Sequence, residues 1–507
     1  MSIDFPNIPD IDWQLPDVDP ERMADVLQYD AANPLLFNTG LFMLLFAAFI
    51  GVYALLSRFK YLKMVFVILF SLYFYYKSSA ECCFILLGVC VSDYLLGIGL
   101  GAAKRIWLRK AVVLINVLIN LGMLAYFKYF NLLAQTVAEF ADKEFDALDI
   151  ILPAGISFFT FRSISYIVDI YRRQIEPCRD FLAYTFYLTF FPPLLAGPVV
   201  RAKDMLPQVH ANPRATRAMM AEGLFLIICG LVKKVVVADY LSQNFVDRVF
   251  DSPALFSGFE NMLAVYGFSI QLYCDFSGYS DMAIGIALLL GYNFLDNFRS
   301  PFKSQNPSEF WRRWHISLSS WLRDYLYIPL GGNRCSRFRK NANLMTTMVL
   351  GGLWHGASWM YIIWGAYHGL LLAVHKMLRN VWRLPEPLKG NFVIRFVNMA
   401  VTFVLVVAGF TLFRAPSLET VGDMAVQMWS DFHVDIAGQF VESYMMIVAA
   451  MGLGYLMHFT PKSWTTGTVK AYNAMPIVIQ SIFLAAILFL VIQTRQSELV
   501  PFVYLQY

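Results

Sequence analysis

One uncharged stretch decides the class of fold. From residue 341 to residue 375 the chain reads NANLMTTMVLGGLWHGASWMYIIWGAYHGLLLAVH, without Asp, Glu, Lys or Arg. A helix needs roughly 20 mainly apolar residues to cross about 30 Å of hydrocarbon, so this stretch is long enough for one span and part of another. The sequence therefore predicts that this part of the chain lies in lipid.

Similar apolar runs occur along the rest of the chain. Their approximate positions are 35–57, 62–77, 80–101, 111–131, 150–171, 219–242, 258–275, 279–294, 393–413, 440–459 and 474–494. Residues 181–200 contain Pro192, Pro193 and Pro198, which is typical of a re-entrant or broken helix buried in protein. We expect an all-α polytopic membrane protein with about 11–12 transmembrane helices, plus re-entrant and interfacial helices.

The composition agrees with a membrane protein. Hydrophobic residues make up 58% of the 507 residues and charged residues 15%, whereas about 25% is usual in a soluble domain. A soluble protein of this size cannot bury so much apolar surface. The net charge of +4 is spread over local basic loops, which argues against a nucleic-acid partner. The seven cysteines include no C-x-x-C pair and suggest neither a disulfide framework nor a zinc site.

The distribution of charge predicts the orientation. Residues 1–33 carry eight acidic residues and one base, Arg22, so they form an acidic tail and not a signal peptide. Basic loops follow the first, third and fifth apolar runs, and such loops favour the cytoplasm. We therefore expect an extracytoplasmic tail at 1–33 and a single transmembrane domain at 34–507.

A basic aromatic segment precedes the uncharged stretch. Asn306, Pro307 and Glu309 form a helix start signal. At 100° per residue, the apolar arc of this helix contains Trp311, Trp314, Leu318, Trp321, Leu322, Tyr325 and Leu326, and the polar arc contains Arg312, Arg313, Ser317, Ser320, Arg323 and Asp324. The pattern predicts one amphipathic helix over 307–328 at the cytoplasmic interface.

His315 falls among the tryptophans of that helix and is expected to face inward. A surface anchor with a merely buried histidine explains the segment about as well as a functional site. Bases flank the helix at Arg299, Lys303, Arg334, Arg337, Arg339 and Lys340. This surface could receive a phosphate-bearing donor or an acidic carrier protein, or it could reflect the positive-inside rule alone.

His355 lies in the middle of the uncharged stretch, between Trp354 and Gly356. An ionisable residue at membrane depth is a functional candidate by default. Desolvation disfavours the charged imidazolium, so the ring stays neutral and can accept a proton from an alcohol. The alternative is a histidine that ties two helices together.

Two carboxylates interrupt another apolar region. Asp275 and Asp281 flank Ser277, Tyr279 and Ser280 at a predicted junction between the runs 258–275 and 279–294. They could line an aqueous tunnel or cap the two helices, and we favour structural positioning.

Several separated motifs resemble one enzyme family. They are Trp311-Arg-Arg-Trp-His-Ile-Ser-Leu-Ser-Ser-Trp-Leu-Arg-Asp-Tyr, Leu353-Trp-His-Gly, Asp275-Phe-Ser-Gly-Tyr-Ser-Asp, Pro301-Phe-Lys-Ser, Tyr327-Ile-Pro-Leu-Gly-Gly-Asn-Arg and Leu195-Ala-Gly-Pro. This set resembles the membrane-bound O-acyltransferase (MBOAT) family, in particular its alginate O-acetyltransferase branch. The acidic tail departs from that branch and leaves the polymer open.

The resemblance implies a ring of tilted helices around a thin central partition with a tunnel. It implies that His355 is catalytic and that His315 lies on the cytoplasmic side. Donors in the family are acyl thioesters, either acyl-CoA or an acyl carrier protein. In this branch an extracytoplasmic partner enzyme is thought to acetylate the polysaccharide. The location implied is the bacterial cytoplasmic (inner) membrane.

The expected site has no metal and no bound cofactor, and an acyl thioester serves as co-substrate. We expect His355 to be the base and His315 to position or polarise the thioester carbonyl. No Ser-His-Asp or Cys-His order is evident, so direct transfer is expected. The expected substrate-binding residues are Trp311, Trp314, Arg312, Arg323, Trp354, Ser358, Asp275, Asn333 and Arg334.

Two other functions stay open at this point. One is the transfer of D-alanine from a carrier protein to teichoic acid, which is also an MBOAT activity. The other is a non-enzymatic polysaccharide or lipid transporter, which predicts charged residues around a cavity, whereas the 341–375 stretch has none. Besides the partner enzyme, the expected partners are membrane lipids and, for some donors, an acyl carrier protein.

Overall fold

The computed structural model describes residues 26–31, 33–381, 391–494 and 502 of the chain. Within these residues the secondary structure is helical, with no β-strand. The predicted all-α class is therefore confirmed for this part of the chain. Of the predicted acidic tail, only residues 26–31 and 33 fall within the described residues, so the tail stays a prediction.

Twenty-one α-helices of five residues or more follow one another in the described ranges, counting from Gly40. They are α1 Gly40–Leu55, α2 Lys60–Ser79, α3 Cys83–Ala102, α4 Ile106–Phe127, α5 Phe130–Phe140, α6 Ile156–Tyr171, α7 Phe181–Thr189, α8 Ala202–Ala211, α9 Arg217–Leu231, α10 Asp247–Asp251, α11 Gly258–Leu289, α12 Pro307–Arg313, α13 Ile316–Leu322, α14 Arg337–His355, α15 Trp359–Val381, α16 Phe392–Arg414, α17 Leu418–Ser430, α18 Ala437–Ser443, α19 Met445–Phe459, α20 Lys462–Ala474 and α21 Ile477–Thr494. Helix α9 continues into π-helical turns at Val232–Asp239 and Ser242–Val246, and α13 continues into a π-helical turn at Arg323–Tyr327.

Four helical stretches in the described residues are long and apolar enough to cross a membrane: Gly40–Arg58, Lys60–Ala102, Ile106–Phe127 and Phe392–Arg414. The helices around 434–459 add a fifth candidate, bent by 94°. This is fewer than the dozen runs predicted. Some runs merge, as 62–77 and 80–101 do within Lys60–Ala102, and others are broken. The 341–375 stretch, for example, becomes α14 and α15, separated at residues 356–358.

The segment 181–200 is a broken helix, as predicted. Helix α7 ends at Thr189, and the chain then continues without regular helix through Pro192 and Pro193 to Val200. Residues 183–200 are buried throughout. Protein therefore surrounds this irregular backbone, which is the condition under which it is tolerated at membrane depth.

The predicted junction at Asp275–Asp281 is wrong. Helix α11 runs uninterrupted for 32 residues, from Gly258 to Leu289. It begins with a capping box in which Ser257 and Glu260 each accept from the other's backbone N–H. Both aspartates lie inside the helix, so neither caps one.

Glycines bring α9 and α11 into backbone contact. A Cβ added at Gly223 would lie 2.7 Å from the carbonyl oxygen of Gly285, and one at Gly230 would lie 2.6 Å from that of Gly278. The glycines are seven residues apart on each helix, so they lie on one face two turns apart. Without bulk at these positions the helices pack closely and antiparallel, as small residues allow in membrane proteins.

Candidate active site

The predicted continuous helix over 307–328 is wrong, because the chain breaks at His315. Helix α12 ends at Arg313, and His315 adopts a left-handed conformation (φ 42°, ψ 56°) before α13 begins. This conformation costs about 1–2 kcal/mol for a residue with a Cβ, and such strain clusters at functional sites. The expectation that His315 faces inward is confirmed, since only 1% of its surface is exposed.

A network of hydrogen bonds holds this break. The backbone N–H of Ile316 donates to the carbonyl oxygen of Asn297 at 2.9 Å. The side-chain oxygen Oδ1 of Asn297 lies 3.1 Å from Nδ1 of His315 and 2.8 Å from Oγ of Ser317. The His315 ring packs edge-on against Phe276, with ring centroids 4.5 Å apart. His315 is thus fixed at both its backbone and its ring.

One face of α14 lines a narrow cavity of about 170 Å³. Leu344, Met348, Gly351 and His355 follow one another at three or four residues, and Thr347 is adjacent to Met348, so all five share that face. They extend for about 16 Å along the helix axis. The facing walls contain Trp311, Leu318, Ser319, Leu322, Arg323, Tyr327, Trp364 and Leu372. The cavity wall therefore includes both the exposed Arg323 and the buried His355.

Close helix packing places Trp364 against His355. A Cβ at Gly352 of α14 would lie 3.1 Å from Cα of Gly365 on α15, so the two helices touch at their backbones. The Trp364 and His355 rings are then 5.0 Å apart, and the Trp364 and Trp311 rings 5.8 Å apart. Both indole nitrogens are buried and have no hydrogen-bond partner among the described residues.

The end of α14 that carries His355 is capped by a lysine and a tyrosine. Nζ of Lys128 donates to the carbonyl oxygens of Trp354 and His355 at 2.8 and 3.0 Å. Oη of Tyr129 donates to the carbonyl oxygen of Leu353 at 2.8 Å. The last carbonyls of a helix have no partner within the helix, and a cation there also complements the helix dipole. These bonds fix the backbone on which His355 is carried.

The structure brings only some of the predicted site residues to the cavity. His355, Trp311 and Arg323 line it. Trp354 contacts both imidazoles, with ring centroids 6.0 Å from His315 and 5.1 Å from His355. Asn333 accepts a hydrogen bond from Oη of Tyr327, a residue of the cavity wall.

The other predicted residues do not line this cavity. Trp314 packs against Phe298, Phe310 and Phe410 in an aromatic core. Ser358 accepts from the backbone N–H of Met360 at the start of α15. Arg312 and Arg334 are exposed. Their roles in substrate binding stay predictions.

Asp275 belongs to a separate group, the ion-pair cluster, formed by Lys233, Lys234, Asp239, Asp275 and Asp281. Nζ of Lys234 lies 2.6 Å from Asp275 and 2.8 Å from Asp239, and Nζ of Lys233 lies 2.6 Å from Asp281. The cluster joins the π-helical turn after α9 to α11. A substrate role for Asp275 likewise stays a prediction. The ion pairs of the cluster are instead consistent with the structural role that we favoured for Asp275 from the sequence.

The cavity edge at Arg323 is held by a second set of ion pairs. Asp324 binds Nη1 of Arg201 and Nε of Arg323, each at 2.7 Å. Partial burial raises the pKa of the Asp324 carboxyl, but the two arginines outweigh it and leave the pKa below its usual value. Asp324 therefore stays charged near neutral pH and anchors the π-helical turn that presents Arg323 to the cavity.

The sequence reasoning missed Asn297, Lys128 and Trp364. Lys128 had a usable signal, because a base at the predicted extracytoplasmic end of the fourth run departs from the positive-inside rule. The periodicity of Leu344, Thr347, Met348 and Gly351 could have indicated a common face with His355. Asn297 and Trp364 gave no local signal, since their roles depend on contacts between separate elements.

Comparison with known proteins identifies the family of this chain. Residues 177–411 match the model of the MBOAT, membrane-bound O-acyltransferase, family. The probable alginate O-acetylase AlgI of Pseudomonas aeruginosa is 41% identical over 404 residues, which cover 78% of this chain and 75% of that protein. The chain belongs to the MBOAT family. It is thus a multi-pass membrane protein and an O-acyltransferase, and the transporter alternative is set aside.

Two further relatives of this chain are named for the modification of other polymers. A peptidoglycan O-acetyltransferase of Helicobacter pylori is 35% identical over 438 residues, covering 78% of this chain and 80% of that protein. A teichoic acid D-alanyltransferase of Bacillus subtilis is 27% identical over 270 residues, covering 51% of this chain and 68% of that protein. The resemblance is thus more extensive to proteins named for O-acetylation than to those named for D-alanylation.

Proposed function

We propose that this MBOAT protein takes an acetyl group from a cytoplasmic thioester and passes it across the bacterial cytoplasmic membrane for O-acetylation of an extracellular polysaccharide. The observation that carries the proposal is the buried His355 in a narrow cavity whose wall also contains Arg323. The names of the Pseudomonas and Helicobacter relatives support acetyl transfer to a polymer. An extracytoplasmic partner enzyme completes the reaction in this proposal.

In this proposal the thioester carbon is attacked directly by a hydroxyl oxygen. The C–O bond forms, the C–S bond breaks, and His355 takes the hydroxyl proton. The departing thiolate then accepts this proton and leaves as the free thiol. A positioned base typically contributes 10²–10⁴-fold to such a step. The apolar wall of Leu344, Met348 and Leu372 excludes water, which would otherwise hydrolyse the thioester.

The donor enters from the side of Arg323 and Tyr327 in this proposal. Arg334, Arg337, Arg339 and Lys340 follow this edge in the sequence; the three arginines are exposed and Lys340 is half-buried. Their positive charge favours an anionic donor and is consistent with a cytoplasmic location for this edge. The acidic N-terminus is then extracytoplasmic.

The purified protein in phospholipid nanodiscs tests the donor and the base together. Acetyl-CoA labelled in the acetyl group is offered with soluble alginate and the candidate partner, and a D-alanyl carrier protein is offered in a parallel reaction. We expect transfer from acetyl-CoA, abolished in His355→Ala and retained in His210→Ala, which changes an exposed histidine. Transfer from the alanyl carrier alone would contradict the proposed donor and favour D-alanylation.

A further inference from the structure

The side-chain amide of Asn297 has a single orientation compatible with its neighbours. The backbone N–H of Ser317 lies 3.3 Å from Oδ1, and a backbone N–H can only donate. The Ser317 hydroxyl accepts from the backbone N–H of Val199 at 2.9 Å and donates to the same Oδ1 at 2.8 Å. Nδ2 of Asn297 donates to Oγ of Ser280 at 3.1 Å. The oxygen of the amide therefore faces His315.

This orientation determines which nitrogen of His315 carries the proton. Nδ1 lies 3.1 Å from Oδ1 of Asn297, which is an acceptor, so Nδ1 must be the donor. Oγ of Ser317 is 3.5 Å from Nδ1, but its one hydrogen points to the closer Oδ1. A neutral imidazole has one N–H, so Nε2 holds a lone pair.

Protonation of both nitrogens is disfavoured by the surroundings. The ring is buried and contacts Phe276, Phe298 and Trp354. Aromatic neighbours of this kind replace water and disfavour a charged imidazolium. A neutral His315 cannot donate a hydrogen bond from Nε2.

We infer that Asn297 is a positioning residue that holds neutral His315 with its proton on Nδ1 and its lone pair on Nε2. The next step rests on the proposed acyl transfer. In that reaction His315 acts beside His355 as an acceptor of a proton or hydrogen bond. It does not polarise the thioester carbonyl, which differs from the expectation drawn from the sequence. The carbonyl must receive its hydrogen bond from another group.

Nitrogen NMR of the protein in nanodiscs tests the tautomer without any assay of transfer. The protein carries ¹⁵N-labelled histidine, and the signals lost in His315→Gln identify His315. We expect a protonated Nδ1 and an unprotonated Nε2 in the wild type and in Ser280→Ala, which removes only the group bonded to Nδ2. Asn297→Leu should lose this preference. A protonated Nε2 in the wild type, or an unchanged tautomer in Asn297→Leu, would overturn the inference.

The pH profile of acetyl transfer tests the acceptor role. Asn297→Asp keeps the oxygen acceptor but adds a negative charge that stabilises protonated His315. We expect the acid limb of its profile to move to higher pH by about 1 unit or more. His355 is a titratable neighbour that interacts electrostatically with His315, and its side chain is retained in this variant. Asn297→Leu should lose activity on the order of 10²-fold at every pH.

The two tests separate failure of the inference from failure of the proposed function. An Asn297→Asp profile that coincides with the wild type, or a fully active Asn297→Leu, contradicts the acceptor role. Absence of acetyl transfer by the wild type contradicts the proposed function and leaves the NMR result to decide the role of Asn297. Asn297→Asp also guards against misfolding of the leucine variant, because it can retain the bonds to Ser317.

Discussion

Two polar regions inside this MBOAT protein differ in their surroundings: one consists of paired charges, and the other borders a mainly apolar cavity. The ion-pair cluster packs five charged residues between α11 and the turn after α9, with each lysine 2.6–2.8 Å from a carboxylate. The cavity next to His355 is mainly apolar and includes empty space. A buried charge that a partner neutralises is therefore explained by packing, without a substrate to balance it. The base that we propose, His355, lies instead beside a mainly apolar cavity.

The largest effect is expected when the cavity loses His355, the base that we propose. His355→Gln keeps a polar side chain of similar length but cannot take the proton, so acetyl transfer should fall by about 10²–10⁴-fold. The thermal midpoint should stay within a few degrees of wild type, as should that of His210→Gln. Rates and scanning fluorimetry on the same samples measure both. Activity above a tenth of wild type would remove His355 as the base.

The opposite result is expected in the ion-pair cluster. Asp275→Leu removes one of the two carboxylates bound to Lys234, and the loss of a buried partner costs about 3 kcal/mol in the free energy of unfolding. Transfer per folded molecule should stay within a factor of about two, since Asp275 does not line the cavity. Asp146→Leu, at an exposed aspartate, is the control. A stable but inactive Asp275→Leu would instead support substrate binding by Asp275.

Lys128 combines features of both regions, because it is a half-buried lysine that binds the backbone of His355. Lys128→Met removes the bonds to the carbonyls of Trp354 and His355, so the free energy of unfolding should fall by about 1–2 kcal/mol. Transfer should fall as well, since the backbone of His355 loosens. Chemical unfolding and initial rates measure these effects, with the exposed Lys143→Met as control. Unchanged stability would show that the cap is not needed.

The smallest effect is expected from a single N–H group in the cavity wall. Trp364→Phe keeps the ring contact with His355 and removes an indole N–H that has no partner within the described residues. If that group binds the donor, kcat/KM should fall about 3- to 10-fold with little change in stability. Trp429→Phe, at an exposed tryptophan, is the matched control. Equal kinetics for both variants would assign Trp364 to packing alone.

The sequence predicted properties that depend on the local pattern of residues. It missed those that depend on contacts between residues far apart in the chain. Apolar runs and the arc arithmetic correctly indicated the all-α class, the broken segment at 181–200 and the inward side of His315. The break at His315 was missed because no Gly or Pro marks it in the sequence. Hydrogen bonds from Asn297, which belongs to another segment, hold this break. The continuity of α11 was missed because Lys233 and Lys234, some forty residues earlier, neutralise its carboxylates.

The same limit applies to the cavity. Its α14 face follows a spacing of three and four residues, which the sequence displays. The facing wall comes from α12, α13 and α15, whose approach depends on backbone contact at Gly352 and Gly365. Packing between separate elements cannot be read from residue spacing within one of them.

The glycine crossing of α9 and α11 has a consequence for how this chain tolerates change over generations. The atom nearest to a Cβ at Gly223 or Gly285 would be a main-chain carbonyl oxygen of the opposite helix, which no trimming of side chains removes. A second substitution elsewhere therefore cannot relieve the first by removing atoms. Genetic suppressors of an alanine at these positions should be scarce, and drift should leave the glycines in place while neighbouring lipid-facing residues diverge.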